Sequence, residues 1–181
     1  MASGSASATG CANSEVQVSG LSQIEMESSV DCLINEERAT RGLAALRPND
    51  ELRRAALDHS NEMVAQSYFE HTSPAGVTFV HRIVAAGYPD RARSWSVGEN
   101  LLWGSKELST PQSVVTEWMN SPKHRANLLA ERFREIGTAA VLGTPESGED
   151  HMGVTVSSEF GHRVMPKKGR GFKARKAGRR G

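Results

Sequence analysis

The sequence predicts an α+β domain in which helices cover a small sheet, and three observations point to it. Helix starts and helical apolar spacing fill the chain from about residue 22 to residue 128, residues 136–160 alternate in the manner of strands, and no internal repeat interrupts that order. At 181 residues the chain suits one compact domain plus loose ends, since a single core usually serves about 100–200 residues.

Taken in order, residues 1–20 are small and polar, too poor in large apolar groups to offset the entropy of ordering. They are expected to form a mobile lead tethered at most by Cys11, with the fold starting near Leu21. From Ser22 to Thr40, Ile24, Val30, Leu33, Ile34 and Ala39 fall roughly at helical spacing, with Glu36, Glu37 and Arg38 outward and Gly42 as the stop. A second helix starts at Asn49 as N-cap, with Asp50 and Glu51 in its first turn, Leu52, Ala55, Ala56, His59 and Met63 on one face, and its end near Tyr68. Residues 71–76 (HTSPAG) form a turn, because Pro74 and Gly76 break regular structure, and Thr78 caps a short helix that runs to Ala86.

Between Trp95 and Trp103 the chain reads as an extended segment in which Gly98 permits a bulge or a close backbone approach. Thr110-Pro111 and Ser121-Pro122 are two closely spaced helix starts, which imply a bend between the helices that follow them. The remainder is a hairpin: Ile136 to Leu142, a turn over residues 143–150, and His151 to Phe160 with Met152, Val154 and Val156 on one face.

Charge is unevenly distributed. Residues 162–181 hold nine Lys or Arg and no acid, which leaves 13 basic against 21 acidic residues in the rest. The basic tail is expected to be disordered with weak polyanion or cell-wall contact. Specific nucleic-acid binding is not expected, because only Phe172 stands among the charges as a stacking group. No run approaches the roughly 18–20 apolar residues of a membrane-spanning helix.

Cys11 and Cys32 match neither a redox pair nor a zinc knuckle by spacing. A bridge pinning the lead onto the first helix is expected, which requires an oxidising compartment; two free thiols are the alternative. Export would normally show as a signal peptide, yet residues 1–10 have neither a basic region nor an apolar one.

The residues able to carry chemistry are few: His71 in a turn, Glu99 after a glycine, and Glu117 with His124 across the helix bend. Two imidazoles and two carboxylates suit a divalent metal such as zinc, although the spacing matches no HExxH box. His59, His81, His151 and His162 read as surface or packing residues. Ser73 lacks the strained elbow that activates a hydrolase serine. Trp95, Trp103 and Trp118 read as core or cleft wall.

Four stretches in order resemble the bacterial branch of the CAP (SCP-like) family: residues 32–43 (CLINEERATRGL), 71–76 (HTSPAG), 98–101 (GENL) and 118–129 (WMNSPKHRANLL), followed by Ile136-Gly137. Together they span roughly residues 30–161. The resemblance implies a three-layer α/β/α sandwich with a small central antiparallel sheet over residues 21–161, between a flexible lead at 1–20 and the basic tail at 162–181. It implies an extracellular protein whose cleft is lined by His71, Glu99, Glu117 and His124, with Glu135 the competitor of Glu117 and with Ser73, Asn100 and Asn127 in support. It also favours the Cys11–Cys32 bridge. The eukaryotic branch carries a GHYTQ-type strand motif where this chain has KHRAN at 123–127, so that branch's sterol binding transfers poorly. Three functions follow as expectations: a binding or interaction module for a divalent metal or small ligand, without turnover; a metal-dependent peptide or ester hydrolase; or a scaffold whose tetrad is a hydrogen-bonded network.

Overall fold

A computed structural model describes residues 10–146 and 153–166. The elements run α1 (Gln23–Ala39), β1 (Arg47–Pro48), α2 (Asp50–Gln66), α3 (Phe79–Ala85), β2 (Ser94–Ser105), α4 (Pro111–Asn120), α5 (Pro122–Leu128), β3 (Glu135–Leu142) and β4 (Gly153–Val164). The helix starts follow local chemistry. The side chains of Ser22, Asn49, Thr78 and Thr110 each accept a hydrogen bond from the backbone N–H three residues on, which satisfies one of the donors a helix leaves open at its N-terminus.

The strands form one sheet in the order β1-β3-β4-β2. β4 pairs antiparallel with both β2 and β3, as a hairpin pattern requires. The sheet is nonetheless mixed, because the two-residue β1, not anticipated from the sequence, runs parallel to β3. Alternation along β4 sorts the layers. Val154, Val156 and Phe160 join the core beneath α1 and α4, with Met26, Val30, Ile34, Val114 and Trp118. On the opposite face α2 and α3 build a second cluster from Leu52, Ala55, Ile83 and Tyr88. The result is helix, sheet and helix in three layers. His151 and Met152, expected in the last strand, and most of the basic tail lie outside the described residues.

Three details differ from the expectations. Arg38 is fully buried, not outward, while Ile24 is 58% exposed and Ala39 is exposed. Met26, Val30 and Ile34 set the buried stripe of α1, and Arg38 continues it at a spacing of four; its guanidinium donates to the carbonyls of Ala44 and Leu128 at 2.9 and 2.6 Å, tying α1 to the end of α5. The fold also reaches ahead of Leu21. Cys11 and Val18 are buried, Ser29 Oγ donates to Ala12 O, and a Cys11–Cys32 disulfide joins this segment to α1. Finally, β2 carries no bulge at Gly98, since its register with β4 is unbroken through that residue.

Candidate functional site

Glu99 organises the site. It sits on β2 facing α2 and α3, its side chain is wholly buried, and both of its oxygens are engaged: Oε1 lies 2.7 Å from His71 Nδ1, and Arg82 Nη2 donates to Oε2 at 2.7 Å. The Arg82 guanidinium also donates to the carbonyls of His71 and Val77, so one α3 side chain holds both the carboxylate and the loop that carries its histidine. Burial alone would raise the Glu99 carboxyl; hydrogen bonds from His71 and Glu159 and the charge of Arg82 outweigh it and hold the group below the usual carboxylate value. The same hydrogen bond raises His71 above the usual imidazole value.

Directly across the ladder from Glu99 lies Glu159, fully buried on β4. As a carboxylate it has no donor on either oxygen. Desolvation, then the charge of Glu99, holds it well above the usual carboxylate value, which favours its protonated form beside Glu99. His59 closes this side, with Nε2 3.0 Å from Glu70 O and 4.0 Å from Glu99 Oε2, and burial lowers its pKa.

The loop bearing His71 is braced by Ser73. This side chain is buried and its Oγ accepts the Val77 N–H at 3.2 Å, which makes it a structural brace. On the other side of β2, His124 lies in the first turn of α5. Asn100 Nδ2 donates to His124 O at 3.1 Å, while Asn127 Nδ2 donates to Asn100 Oδ1 at 2.9 Å and to Glu99 O at 3.2 Å. The two asparagines thus lash the α5 turn to the strand that carries Glu99. Gly98 permits this close approach, because a Cβ there would stand 2.9 Å from Asn127 Oδ1 and 3.0 Å from Phe133 Cζ.

His124 and the exposed Glu117 line one cleft of about 260 Å³, walled by Phe69, Trp103 and Trp118. Burial lowers the His124 pKa, and the nearby His71 adds to the effect. Glu135 lies elsewhere, receiving the Tyr88 hydroxyl at 2.7 Å with Arg163 Nε at 3.5 Å. Among the described residues the ligand atoms of His71, Glu99, Glu117 and His124 do not gather three at a time within 4.8 Å. The one group that does is Cys11, Cys32 and Glu36, whose cysteines are already joined. Sequence reasoning missed Arg82 and Glu159 and read His59 only as a surface or packing residue. The available signal was a Glu within a predicted strand, on the face opposite Val154 and Val156, in a sheet expected to be covered by helices.

Residues 33–157 match the cysteine-rich secretory protein family, CAP. The uncharacterized protein YkwD of Bacillus subtilis is 35% identical over 122 residues, which are 67% of this chain and 43% of the relative, so the chain spans less than half of that protein's length. Among solved structures, an outer surface protein of Borrelia burgdorferi superposes with a TM-score of 0.60 at 25% identity, covering 74% of this chain and 90% of that one. An extracellular protein containing an SCP domain from Bacillus anthracis gives 0.57 at 22% identity, covering 81% and 44%. A cysteine-rich secretory protein from Staphylococcus aureus gives 0.51 at 20%, covering 76% and 38%. Among the described residues no helix is long and apolar enough to cross a membrane. With Cys32–Leu43, the His71 turn, Gly98–Leu101 and the α4–α5 bend assembled on one sandwich, and with the family match running across 33–157, the chain belongs to the cysteine-rich secretory protein (CAP) family.

Proposed function

We propose that the chain is a secreted binding module whose cleft takes a divalent metal ion such as zinc, or a small polar ligand, through His71 and His124. The observation that carries this reading is the 2.7 Å contact between His71 Nδ1 and the buried Glu99. A carboxylate on one ring nitrogen fixes the tautomer and orientation of a histidine and leaves the other nitrogen as the ligand atom. The donor set suits a borderline metal, since neutral imidazole and carboxylate are both good zinc ligands. In this reading His71 and His124 hold the ion, Glu99 and Arg82 orient His71, Asn100 and Asn127 hold the His124 turn, and Glu117 offers a carboxylate from the same cleft. Bound there, the ion would act as a Lewis acid toward the ligand's polar atoms. The disulfide supports export, because such bonds persist in oxidising compartments.

The site favours binding over turnover. Both Glu99 oxygens are occupied, Glu159 is sealed in the interior, and Ser73 spends its oxygen on the loop. A metal-dependent peptide or ester hydrolase is the second reading, favoured by one observation: Glu117 is an exposed carboxylate lining the same cleft as His124, a residue type able to serve as a general base.

Elemental analysis and calorimetric titration with zinc at neutral pH test the proposal, on wild type and on the His71→Ala, His124→Ala double variant. One equivalent bound by wild type and lost in a folded double variant is expected; absence from both, or retention in the variant, would overturn the metal reading. A peptidase and esterase screen of wild type against Glu117→Gln separates the second reading.

A further inference from the structure

Asp31 is an acid with one oxygen unused. It projects from α1 toward β3, where Thr138 Oγ1 donates to its Oδ1 at 2.5 Å. Among the described residues nothing donates to its Oδ2 and no cation pairs with it, yet Oδ2 is not one of the sealed polar atoms of the interior. The space it meets is a cavity of about 390 Å³ between α1, the first turn of α2 and β3, at the outer edge of the sheet and two strands away from β2. Arg53 lines the same cavity but is already engaged, donating to Glu27 through Nε at 2.7 Å and Nη2 at 3.1 Å. Asp50, with Glu51, stands in the first turn of α2, where carboxylates offset the positive end of the helix. Asp31 is thus the lining carboxylate left without a counter-charge. The fold holds the cavity open. A Cβ at Gly137 would collide with the backbone of Leu52 and Arg53, so α2 sits directly on β3. On the facing wall Asn35 is bonded in both directions to the Leu46 backbone, and the Cys11–Cys32 disulfide anchors the residue next to Asp31.

We infer that this cavity is a second binding site, separate from the histidine cleft, and that it takes a small organic amine, with the ammonium group on Asp31 Oδ2 and a short apolar chain against Ile24, Pro48 and Ile136. Volume is the first argument. The cavity falls in the range of small-ligand pockets, about 300–1,000 Å³, and far exceeds what a bare ion fills. Charge is the second, since Glu27 and Arg53 cancel and Asp31 and Asp50 leave the walls negative. Geometry then selects among cations. A metal needs converging ligands, and among the described residues the oxygens of Glu27, Asp31 and Asp50 do not gather within 4.8 Å of one another. A guanidinium fork calls for both oxygens of a carboxylate, and Thr138 already holds Oδ1; an ammonium is a point donor that one free oxygen satisfies. The apolar residues on the same walls, with Ile24 exposed, accommodate the carbon chain of such a ligand. The acid itself shows the missing partner: burial pushes its carboxyl up to about 7 against the hydrogen bond from Thr138. A residue that lowers stability in an otherwise well-bonded wall is the pattern expected where function sets the side chain.

The competing account is that Asp31 only ties α1 to β3 through Thr138. The test titrates the full chain at pH 8 with n-butylamine, and with n-butanol as its uncharged counterpart, following chemical shifts by NMR. A site of this kind predicts saturable shift changes at Asp31, Cys32 and Thr138 with the amine, and at least tenfold weaker binding of the alcohol. Asp31→Asn keeps the shape and an oxygen for Thr138, so it is expected to fold, with unchanged shifts along α2 and β4, and to bind the amine at least tenfold more weakly. The His71→Ala, His124→Ala double variant should bind the amine as wild type does, which separates this site from the cleft whatever the fate of the metal reading. Absence of saturable shifts at these residues, equal binding of the alcohol, or undiminished amine binding by Asp31→Asn would overturn the inference. So would loss of amine binding in a folded double histidine variant, which would place the amine in the cleft.

Discussion

Glu99 and Glu159 face one another across the β2–β4 ladder, and their surroundings push their pKa values in opposite directions. His71 and Arg82 reach the oxygens of Glu99 and favour its charged form; Glu159, buried with no donor of its own, favours the protonated one.

This pair has a consequence for stability. Because Glu159 titrates well above 4.5 when folded, the folded chain holds one proton more than the unfolded chain above that pH, so stability falls as pH rises toward the folded value. Glu159→Gln replaces the proton with an amide donor of the same shape. It is expected to raise the melting temperature at pH 7 by a few degrees and to flatten that decline, whereas Glu159→Ala should lower the melting temperature by opening a cavity. Thermal unfolding from pH 4 to 8 reads both.

Asp31 behaves alike on the other side of the sheet. Burial and, to a lesser degree, Glu27 push its carboxyl up to about 7 against the hydrogen bond from Thr138 Oγ1. The folded chain retains this proton between about pH 4 and 7, so the group lowers stability progressively across that window. Asp31→Asn should remove the decline and stabilise the protein at pH 8 by roughly 1–3 kcal/mol, measured by urea unfolding at pH 4.5 and 8. Equal stability of variant and wild type at both pH values would refute it.

Gly98 lets α5 approach the strand that carries Glu99. Gly98→Ala puts a methyl group against Asn127 and Phe133, and overpacking of this kind costs about 1–3 kcal/mol. The expected signature is loss of the Asn127 side-chain hydrogen bonds, seen as shifts at Asn100 and His124 by NMR, with weaker ligand binding at the histidines. A variant that loses stability without disturbing Asn100 would show that Asn127 does not hold the α5 turn.

The disulfide joins residues 21 apart and holds a segment whose other ties are few, among them Ser29 Oγ to Ala12 O and Gln112 N to Ser14 O. On chain entropy alone, opening such a loop costs about 3 kcal/mol. Cys11→Ser with Cys32→Ser should therefore unfold at lower denaturant concentration and become sensitive to proteolysis near residues 11–20. If only the proteolysis changes, the bridge serves the segment and not the core.

The sequence by itself determined the local events. Helix starts at Ser22, Asn49, Thr78 and Thr110 were legible because a cap is chemistry between residues three apart, and the β3–β4 hairpin because alternation at a period of two has one meaning beside a core. The pairing of His71 with Glu99 was expected from family motifs, not from spacing. Only the tertiary structure decided which groups complete the site. Arg82, Glu159 and His59 arrive from α3, β4 and α2, more than ten residues from Glu99 in sequence, and strand register alone sets Glu159 opposite Glu99. The same holds for Arg38, whose burial depends on carbonyls about 90 residues away, and for β1, too short to show any period. Desolvation and pairing register are properties of the assembled layers, and it is these that choose which of two facing carboxylates carries the charge.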